Sequence, residues 1–132
     1  MASWVAAVAL FGLFLVLWRR RPFRVEVRGE SMEPTLRAGD YLIAIRSERP
    51  RRGALVVVKH PARPRLDLVK RVTGVPGDHV DGHRLSDREH WVVGDNPAAS
   101  TDSRTLGPIP DGMVRGIVVL RYWPRSRISW LR

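Results

Sequence analysis

Two residues of this 132-residue chain could together supply a nucleophile and a base. Ser31 lies in the segment GESMEPTL, residues 29–36, where glycine and proline indicate a turn that can expose a hydroxyl. Lys70 lies in an apolar alternation that places it on the same side as Leu68 and Val72. Burial on that side lowers the pKa of a lysine, so that its neutral amine can take a proton from a serine. Considered separately, the first segment is more typical of an ordinary polar turn, and the lysine is more typical of a surface edge strand.

A polar segment nearer the C-terminus could support such a pair. It contains the letters GDN at residues 94–96 and STDSR at residues 100–104. The hydroxyl of Ser100 could orient an amine, while Asp102 and Arg104 could form an ion pair that braces a loop. On its own this segment is typical of a polar loop.

In this order the three segments resemble the motifs of the type I signal peptidase family, and the resemblance extends from Arg24 to Pro124. It implies acyl transfer by a Ser/Lys dyad, in which Lys70 takes the proton of Ser31 as the general base. Ser31 is then the nucleophile that attacks the scissile carbonyl, and water releases the acyl-enzyme. The resemblance also implies that Ser100 holds Lys70 in place.

The other motif positions take supporting roles in this resemblance. The residues expected to support the site are Asp95, Asn96, Asp102 and Arg104, and those expected at the substrate or in the serine motif are Gly29, Met32 and Pro34. The chain departs from the family at two points. Some members carry a hydroxyl two residues before the nucleophile, where this chain has Gly29, so a side-chain oxyanion donor is missing. Larger members insert a second β domain where this chain has only a short stretch between Asp78 and Gly94.

The implied substrate is the signal or leader peptide of a preprotein. Family substrates carry small residues, often alanine, at the first and third positions before the scissile bond, and they bind as an added β-strand. No cofactor and no metal is expected. The alternating residues His79, Asp81 and His83 could share one face and bind a metal, but a polar hairpin is the simpler interpretation.

The N-terminal run WVAAVALFGLFLVLW, residues 4–18, carries no charge and has tryptophan at both ends. Such a run is typical of a membrane helix with aromatic residues at the interfaces. It lacks the basic start and the Ala-X-Ala site of a cleaved signal peptide. We therefore expect residues 1–21 to form a transmembrane anchor with a basic flank, and residues 22–132 to form a β-rich catalytic domain. The expected location is the cytoplasmic (plasma) membrane, crossed once.

The charges that follow this run bear on its orientation. Four arginines lie directly after it, at positions 19, 20, 21 and 24. The positive-inside rule would keep the following domain in the cytoplasm. The resemblance instead implies that the catalytic domain lies on the extracytoplasmic side. Both orientations stay open at the level of the sequence.

The remaining chain alternates short apolar segments with Gly, Pro and Asp turns, a pattern that predicts strands. The candidate strands are Arg24–Arg28, Tyr41–Arg46, Ala54–Lys59, Leu66–Val72, Trp91–Val93 and Arg115–Tyr122. No soluble helix longer than one or two turns is predicted. The fold class expected is mostly β, a compact antiparallel sheet or barrel behind one N-terminal transmembrane helix.

Composition narrows the chemistry further. The chain has a net charge of +10, no cysteine and only two lysines, Lys59 and Lys70. The lack of cysteine excludes disulfides, thiolate zinc sites and a cysteine nucleophile. Because arginine keeps its proton near neutral pH, only the two lysines could act as a side-chain amine base. The basic charge could bind nucleic acid or anionic lipid, and it is equally typical of a genome rich in G and C that encodes arginine wherever a surface cation is needed. The expected partner is membrane lipid, no nucleic acid is expected, and the sequence does not indicate an oligomeric state.

Three other functions compete with general signal peptidase activity. Proteases that remove the leader of nickel superoxide dismutase are similarly short, and the arginines after the apolar run favour them. Self-cleaving repressors share a Gly-x-Ser-Met motif and a Ser/Lys dyad, but the apolar run occupies the place of their DNA-binding helices. A non-enzymatic β module that binds an extended peptide would be favoured if Ser31 and Lys70 lay far apart in the folded chain.

Overall fold

A computed structural model describes residues 2–47 and 49–131 of the chain. Its first element is the helix α1, Ala2–Arg19, which carries a basic residue, Arg19, in its last turn. The large apolar side chains of α1 are exposed, with exposed fractions from 45% at Leu15 to 79% at Trp4. Among the residues that the structure describes, no helix has the combined length and apolarity needed to cross a membrane.

The rest of the chain is built mainly from strands. They are β1 (Pro22–Glu26), β2 (Tyr41–Ile45), β3 (Leu55–His60), β4 (Arg63–Gly74), β5 (His79–Val80), β6 (His83–Arg84), β7 (Glu89–Val93), β8 (Ile109–Pro110), β9 (Val114–Trp123) and β10 (Ser129–Trp130). A one-turn helix, α2 (Ser103–Leu106), lies between β7 and β8. All six candidate strands overlap observed ones, and the prediction of a mostly β domain is confirmed.

The strands form an antiparallel sheet in the order β1-β2-β9-β3-β4-β7-β8, with β10 beside β9. Strands β5 and β6 form a separate hairpin. In the part of the chain that is described, β1 and β8 lie at the two ends of the order, so the arrangement is an open sheet. Val56 of β3 pairs with Lys70 of β4 on one side and with Ile117 of β9 on the other. This central register fixes where Lys70 stands in the sheet.

Strand β3 is apolar without alternation because both of its faces are covered. Leu55 and Val57 belong to one buried cluster, whereas Val56 and Val58 belong to a second cluster. A strand buried on both faces has no polar side to present to water. On β4 the buried residues do alternate, and Lys70 shares its buried side with Val72, as predicted.

The loops that carry polar side chains are held at their bases. The loop between β1 and β2 is closed by hydrogen bonds from the Val27 amide to the Asp40 carbonyl, 2.8 Å, and from the Gly39 amide to the Val27 carbonyl, 2.9 Å. Val27, Met32 and Leu36 anchor the same loop because their side chains are buried in the first cluster. The loop is therefore fixed to the core on both sides of Ser31.

Candidate active site

Ser31 and Lys70 meet at the centre of the site. Lys70 Nζ donates a hydrogen bond of 2.7 Å to the Oγ of Ser31, although the two residues are 39 positions apart in the chain. The lysine side chain comes from the middle of β4 and is only 2% exposed. The serine lies on the turn between β1 and β2 and is partly buried. A hydroxyl and an amine at this distance can exchange a proton directly.

Burial is the main influence on the pKa of Lys70. Removal from water lowers the pKa of Lys70, the nearby Asp102 carboxylate opposes this, and the Arg104 guanidinium adds to it. The net direction is downward from the ordinary lysine value. A larger share of Lys70 is therefore neutral at a given pH than for a lysine in water, and a neutral amine can act as a base.

Asp102 accepts several hydrogen bonds within the polar segment of residues 94–104. Its carboxylate accepts hydrogen bonds from the Gly94 amide, 2.8 Å, from Ser100 Oγ, 2.7 Å, and from the Nε of Arg104, 2.9 Å. Burial alone would raise the pKa of Asp102, but these donors together outweigh burial and hold the pKa well below its usual range. Asp102 is therefore a fixed negative charge near the lysine.

The structure places Ser100 against Asp102. The Ser100 hydroxyl donates to Oδ2 of Asp102, and within residues 2–47 and 49–131 no hydrogen bond joins Ser100 to Lys70. The direct contact expected from the motif is thus replaced by an indirect one, in which Ser100 helps to orient the carboxylate that acts on Lys70. The reason is local, since Ser100 and Asp102 are two residues apart in the same loop.

Gly94 allows the two loops of the site to approach closely. A Cβ atom at this position would lie 2.6 Å from the Ser31 carbonyl oxygen and 2.6 Å from the Cβ of Ser100. Neither distance can be accommodated without displacing backbone or a neighbouring side chain. The absence of a side chain at Gly94 therefore lets the serine loop and the Ser100 loop come together.

Asp95 connects the loop of the serine with the strand of the lysine. One carboxylate oxygen of Asp95 accepts from Thr35 Oγ1 at 2.6 Å, and the two oxygens accept a bidentate pair from Arg71, both at 2.8 Å. These contacts lower the pKa of Asp95, chiefly through the Arg71 guanidinium, and raise the pKa of Arg71. Since Arg71 follows Lys70 in β4, one carboxylate links both halves of the pair.

Asn96 adds a second link to the serine loop. Its amide N–H donates to the Ser31 carbonyl at 2.9 Å, and its side-chain Nδ2 donates to the Glu30 carbonyl at 3.1 Å. The backbone on both sides of the nucleophile is thereby fixed. The N–H of Ser31 itself makes no hydrogen bond to protein among the described residues, so it can donate to a ligand.

The three remaining motif residues lie in different surroundings. Gly29 has a φ of 77°, a left-handed conformation that favours glycine, and open space where a Cβ would stand. Pro34 is exposed, and Met32 is buried in the first core cluster with an exposed fraction of 2%. Met32 therefore contributes to the packing beneath the serine loop.

Sequence reasoning missed three residues that hold the site together. Thr35 and Arg71 pair with Asp95, and Arg121 of β9 donates to the Thr35 carbonyl at 2.9 Å. Thr35 lies in the quoted serine segment and Arg71 directly follows Lys70, so their positions beside the expected dyad were a signal for both. Nothing in the local pattern distinguishes Arg121 from the many other arginines of the chain.

The alternating histidines lie apart from these contacts. His79 and His83 belong to the β5–β6 hairpin, where His79 pairs with Arg84 and Val80 with His83. Among the described residues, no group of three His, Asp or Glu side chains is arranged to hold a metal ion.

The comparisons with known proteins fit this geometry. The family model described as "Signal peptidase, peptidase S26" matches residues 1–84 and 81–123. The chain belongs to this family. It is accordingly a signal peptidase-like hydrolase, and the non-enzymatic β module is wrong, because the serine and the lysine lie within hydrogen-bond reach.

Curated relatives carry protease names. The chain is 38% identical over 118 residues to mitochondrial inner membrane protease subunit 1 of Homo sapiens, covering 79% of this chain and 71% of that protein. It is 34% identical over 121 residues to subunit 2 of the same protease from Saccharomyces cerevisiae, covering 77% and 68%. Subunit 2 of Danio rerio is 32% identical over 129 residues, covering 86% and 69%. The S26 peptidase thus resembles both kinds of subunit.

Proposed function

We propose that this S26 peptidase is a membrane-anchored serine endopeptidase that removes signal or leader peptides from preproteins through Ser31 and Lys70. The observation that carries this proposal is the 2.7 Å contact between Lys70 Nζ and Ser31 Oγ in a buried setting. The match to a family described as signal peptidase supports the substrate class, and the resemblance to inner membrane proteases supports a membrane location.

The reaction follows from the contacts of the pair. Neutral Lys70 takes the hydroxyl proton as Ser31 Oγ attacks the scissile carbonyl, and a tetrahedral oxyanion forms. The free N–H of Ser31 is the natural donor to this oxyanion. Protonated Lys70 then gives its proton to the leaving amine. Lys70 Nζ, neutral again, then takes a proton from water as the water attacks the acyl carbon, and it gives that proton to Ser31 Oγ as the bond to the acyl group breaks.

Asp102 and Arg104 act in opposite directions on the pKa of Lys70 in this mechanism. Asp102 stabilises the ammonium form that arises after proton transfer, whereas Arg104 limits that effect by neutralising the carboxylate. Ser100 orients Asp102 through its hydroxyl. The three residues therefore act through Lys70 and do not touch the substrate bond.

We further propose that residues 1–21 anchor the enzyme in the cytoplasmic membrane and that residues 22–132 form the catalytic domain. The support is the uncharged apolar run of α1, whose side chains are exposed from Ser3 to Arg19. Such a surface is unfavourable in water and favourable in lipid. The charge pattern after α1 opposes an extracytoplasmic domain, whereas substrates that cross the membrane require one.

The orientation can be tested directly because the chain has no cysteine. A single cysteine introduced at the exposed Ser126 (S126C) reports the side of the domain through a membrane-impermeant thiol reagent. Labelling of intact cells supports an extracytoplasmic domain. Labelling only after lysis would contradict this orientation and favour a cytoplasmic leader substrate.

Cleavage is tested with the full chain purified in detergent. Wild type and Ser31→Ala are incubated with a preprotein whose signal ends in Ala-X-Ala, and new N-termini are mapped by mass spectrometry. A matched substrate carries a large residue in place of the alanine before the bond. Cleavage after that alanine by wild type only, and not of the matched substrate, is the expected result. Cleavage of only a dedicated leader, such as that of nickel superoxide dismutase, would overturn general signal peptidase activity.

A further inference from the structure

A strongly basic cavity is lined in part by Arg19 of α1, and neither Ser31 nor Lys70 belongs to its lining. It has a volume of about 1060 Å³ and is open to solvent. Its cationic lining residues are Arg19, Arg46, Arg49, Lys59, Arg65 and Arg115. None of these residues has a role in the mechanism proposed above.

The positive charge of this cavity is largely uncompensated. Asp67 is the one carboxylate among its described lining residues, and it pairs with Arg115. The other five cations form no ion pair within residues 2–47 and 49–131. Counting Glu48, which precedes Arg49 in the sequence, still leaves an excess of four positive charges. Cations held together at this density repel one another and favour an anionic ligand.

The type of cation indicates the type of anion. Five of the six are arginines, whose planar guanidinium groups donate paired hydrogen bonds to phosphate oxygens. The cavity is lined by side chains from several elements, including the end of α1, the end of β2 and the start of β4. Several arginines converging from different elements suit a phosphate group better than a single carboxylate.

The position of Arg19 distinguishes a lipid phosphate from a soluble one. Arg19 ends the apolar helix α1 and also lines the cavity. If α1 lies in the bilayer as proposed, the cavity opens at the level of the lipid headgroups, where phosphates are abundant.

An adjoining groove offers a surface for an acyl chain. It has a volume of about 620 Å³ and is lined by Arg63, Pro64, Arg65 and Leu66. Arg65 and Pro64 line both the groove and the basic cavity, and Leu66 is 42% exposed. A phosphate site that continues into an exposed apolar side chain matches the polar and apolar halves of a phospholipid.

We propose that the basic cavity binds the headgroup of an anionic phospholipid and holds the catalytic domain against the membrane surface. This inference rests on the proposed membrane position of α1 but not on the proposed peptide cleavage. The lysine strand connects the two regions, since Arg65 and Lys70 both belong to β4. A bound headgroup therefore sets the height of the catalytic pair above the bilayer.

Binding is measured on the full chain in a non-ionic detergent by isothermal titration calorimetry. The probes are short-chain phosphatidylglycerol, short-chain phosphatidylcholine and glycerol phosphate at equal concentration. Phosphatidylglycerol is expected to bind, with an affinity that falls as salt rises, while the other two bind at least about tenfold more weakly. Equal binding of glycerol phosphate would overturn the lipid assignment in favour of a soluble phosphate. Equal binding of phosphatidylcholine would overturn the role of charge.

Two triple variants test whether phosphatidylglycerol binds at the basic cavity. The first removes three exposed cavity cations, in Arg46→Gln, Arg49→Gln and Arg65→Gln. The matched control removes the same charge from three exposed arginines outside the cavity, in Arg51→Gln, Arg84→Gln and Arg88→Gln. The cavity variant is expected to bind phosphatidylglycerol on the order of a hundredfold more weakly, while the control stays near wild type. Similar losses in both variants would overturn a discrete site.

Cleavage of the preprotein in detergent separates this inference from the proposed function. The cavity variant is expected to cleave at the wild-type rate in detergent, which also shows that it is folded. Wild-type cleavage without selective phosphatidylglycerol binding would overturn only the lipid site. Selective binding by a wild-type chain that cleaves no preprotein would overturn only the proposed function and support the lipid site.

Discussion

Lys70 Nζ lies 2.7 Å from Ser31 Oγ, and the side chain that carries it is 2% exposed. A lysine in such a place costs stability when it is charged and is useful as a base when it is neutral. The same burial therefore has one consequence for the chemistry of the S26 peptidase and another for its folding. Both consequences can be measured.

The pH dependence of cleavage reflects the pKa of the general base, Lys70. Because the neutral amine is required, kcat/KM is expected to rise with pH, with a midpoint below the ordinary lysine pKa. Arg104 contributes to lowering the pKa of Lys70, so Arg104→Gln is expected to raise that pKa and shift the midpoint to higher pH. The pH profiles of wild type, Arg104→Gln and the distant surface control Arg88→Gln provide the test. An unchanged midpoint in Arg104→Gln would contradict the assignment of Lys70 as the titrating group.

Lys70→Met is expected to remove activity and yet stabilise the fold. The pKa of Lys70 is lowered on folding, so the unfolded chain binds more protons between the folded and unfolded pKa values, and stability rises with pH there. At neutral pH the buried lysine is therefore destabilising, and methionine should increase the free energy of unfolding by about 1–3 kcal/mol.

Denaturant unfolding at several pH values measures this effect, with Ser31→Ala as the control that keeps the lysine. The gain from methionine should shrink as the pH approaches the ordinary lysine pKa of about 10.4. If Lys70→Met were less stable than wild type at pH 7, the buried lysine would not destabilise the folded state, and this prediction would be contradicted.

Gly94→Ala tests the close approach of the two loops. The added Cβ would lie 2.6 Å from the Ser31 carbonyl oxygen, so the nucleophile loop must move. We expect a loss of about a hundredfold in kcat/KM, typical of a displacement near 1 Å, with the fold retained. Gly112→Ala is the matched control, because a Cβ there meets nothing within 4 Å. Equal activity of the two variants would contradict the proposed tight fit.

Asp95→Asn tests the link between the serine loop and the lysine strand. The substitution removes the charge that Arg71 contacts through two hydrogen bonds of 2.8 Å. The free energy of unfolding should fall by about 1–3 kcal/mol. The kcat/KM should fall by about tenfold because Ser31 and Lys70 are displaced relative to each other. Asp78→Asn is the control, since Asp78 pairs with Arg52 outside the site. A stability loss without any change in kcat/KM would reduce Asp95 to a purely structural role.

The sequence predicted the main strands and the side of β4 on which Lys70 lies. Both follow from apolar alternation, which is a local signal. Two of the strands of two residues, β5 and β6, form the polar hairpin expected at His79, Asp81 and His83. The other two, β8 and β10, were not predicted because two residues carry no periodicity. Strand β4 starts at Arg63 rather than Leu66, since its first residues pair with the end of β3 and are exposed.

The motifs also predicted which residues would gather at the site, but not all of their partners. Thr35 and Asp95 are 60 positions apart, and their hydrogen bond depends on how two loops are brought together by the sheet. Whether the Ser100 hydroxyl contacts Lys70 or donates a hydrogen bond to Asp102 likewise depends on the loop conformation. Such contacts are tertiary, and no local pattern encodes them.

The central claim is that Ser31 and Lys70 act as one catalytic unit, and a double-mutant measurement tests it most directly. The kcat/KM for cleavage of the Ala-X-Ala preprotein is determined for Ser31→Ala, Lys70→Met and the double variant. Each single variant is expected to lose at least roughly a thousandfold, and the double variant should be no worse than either one, because residues that act as a unit are not additive. A Lys70→Met enzyme within tenfold of wild type, or losses that multiply in the double variant, would contradict the account.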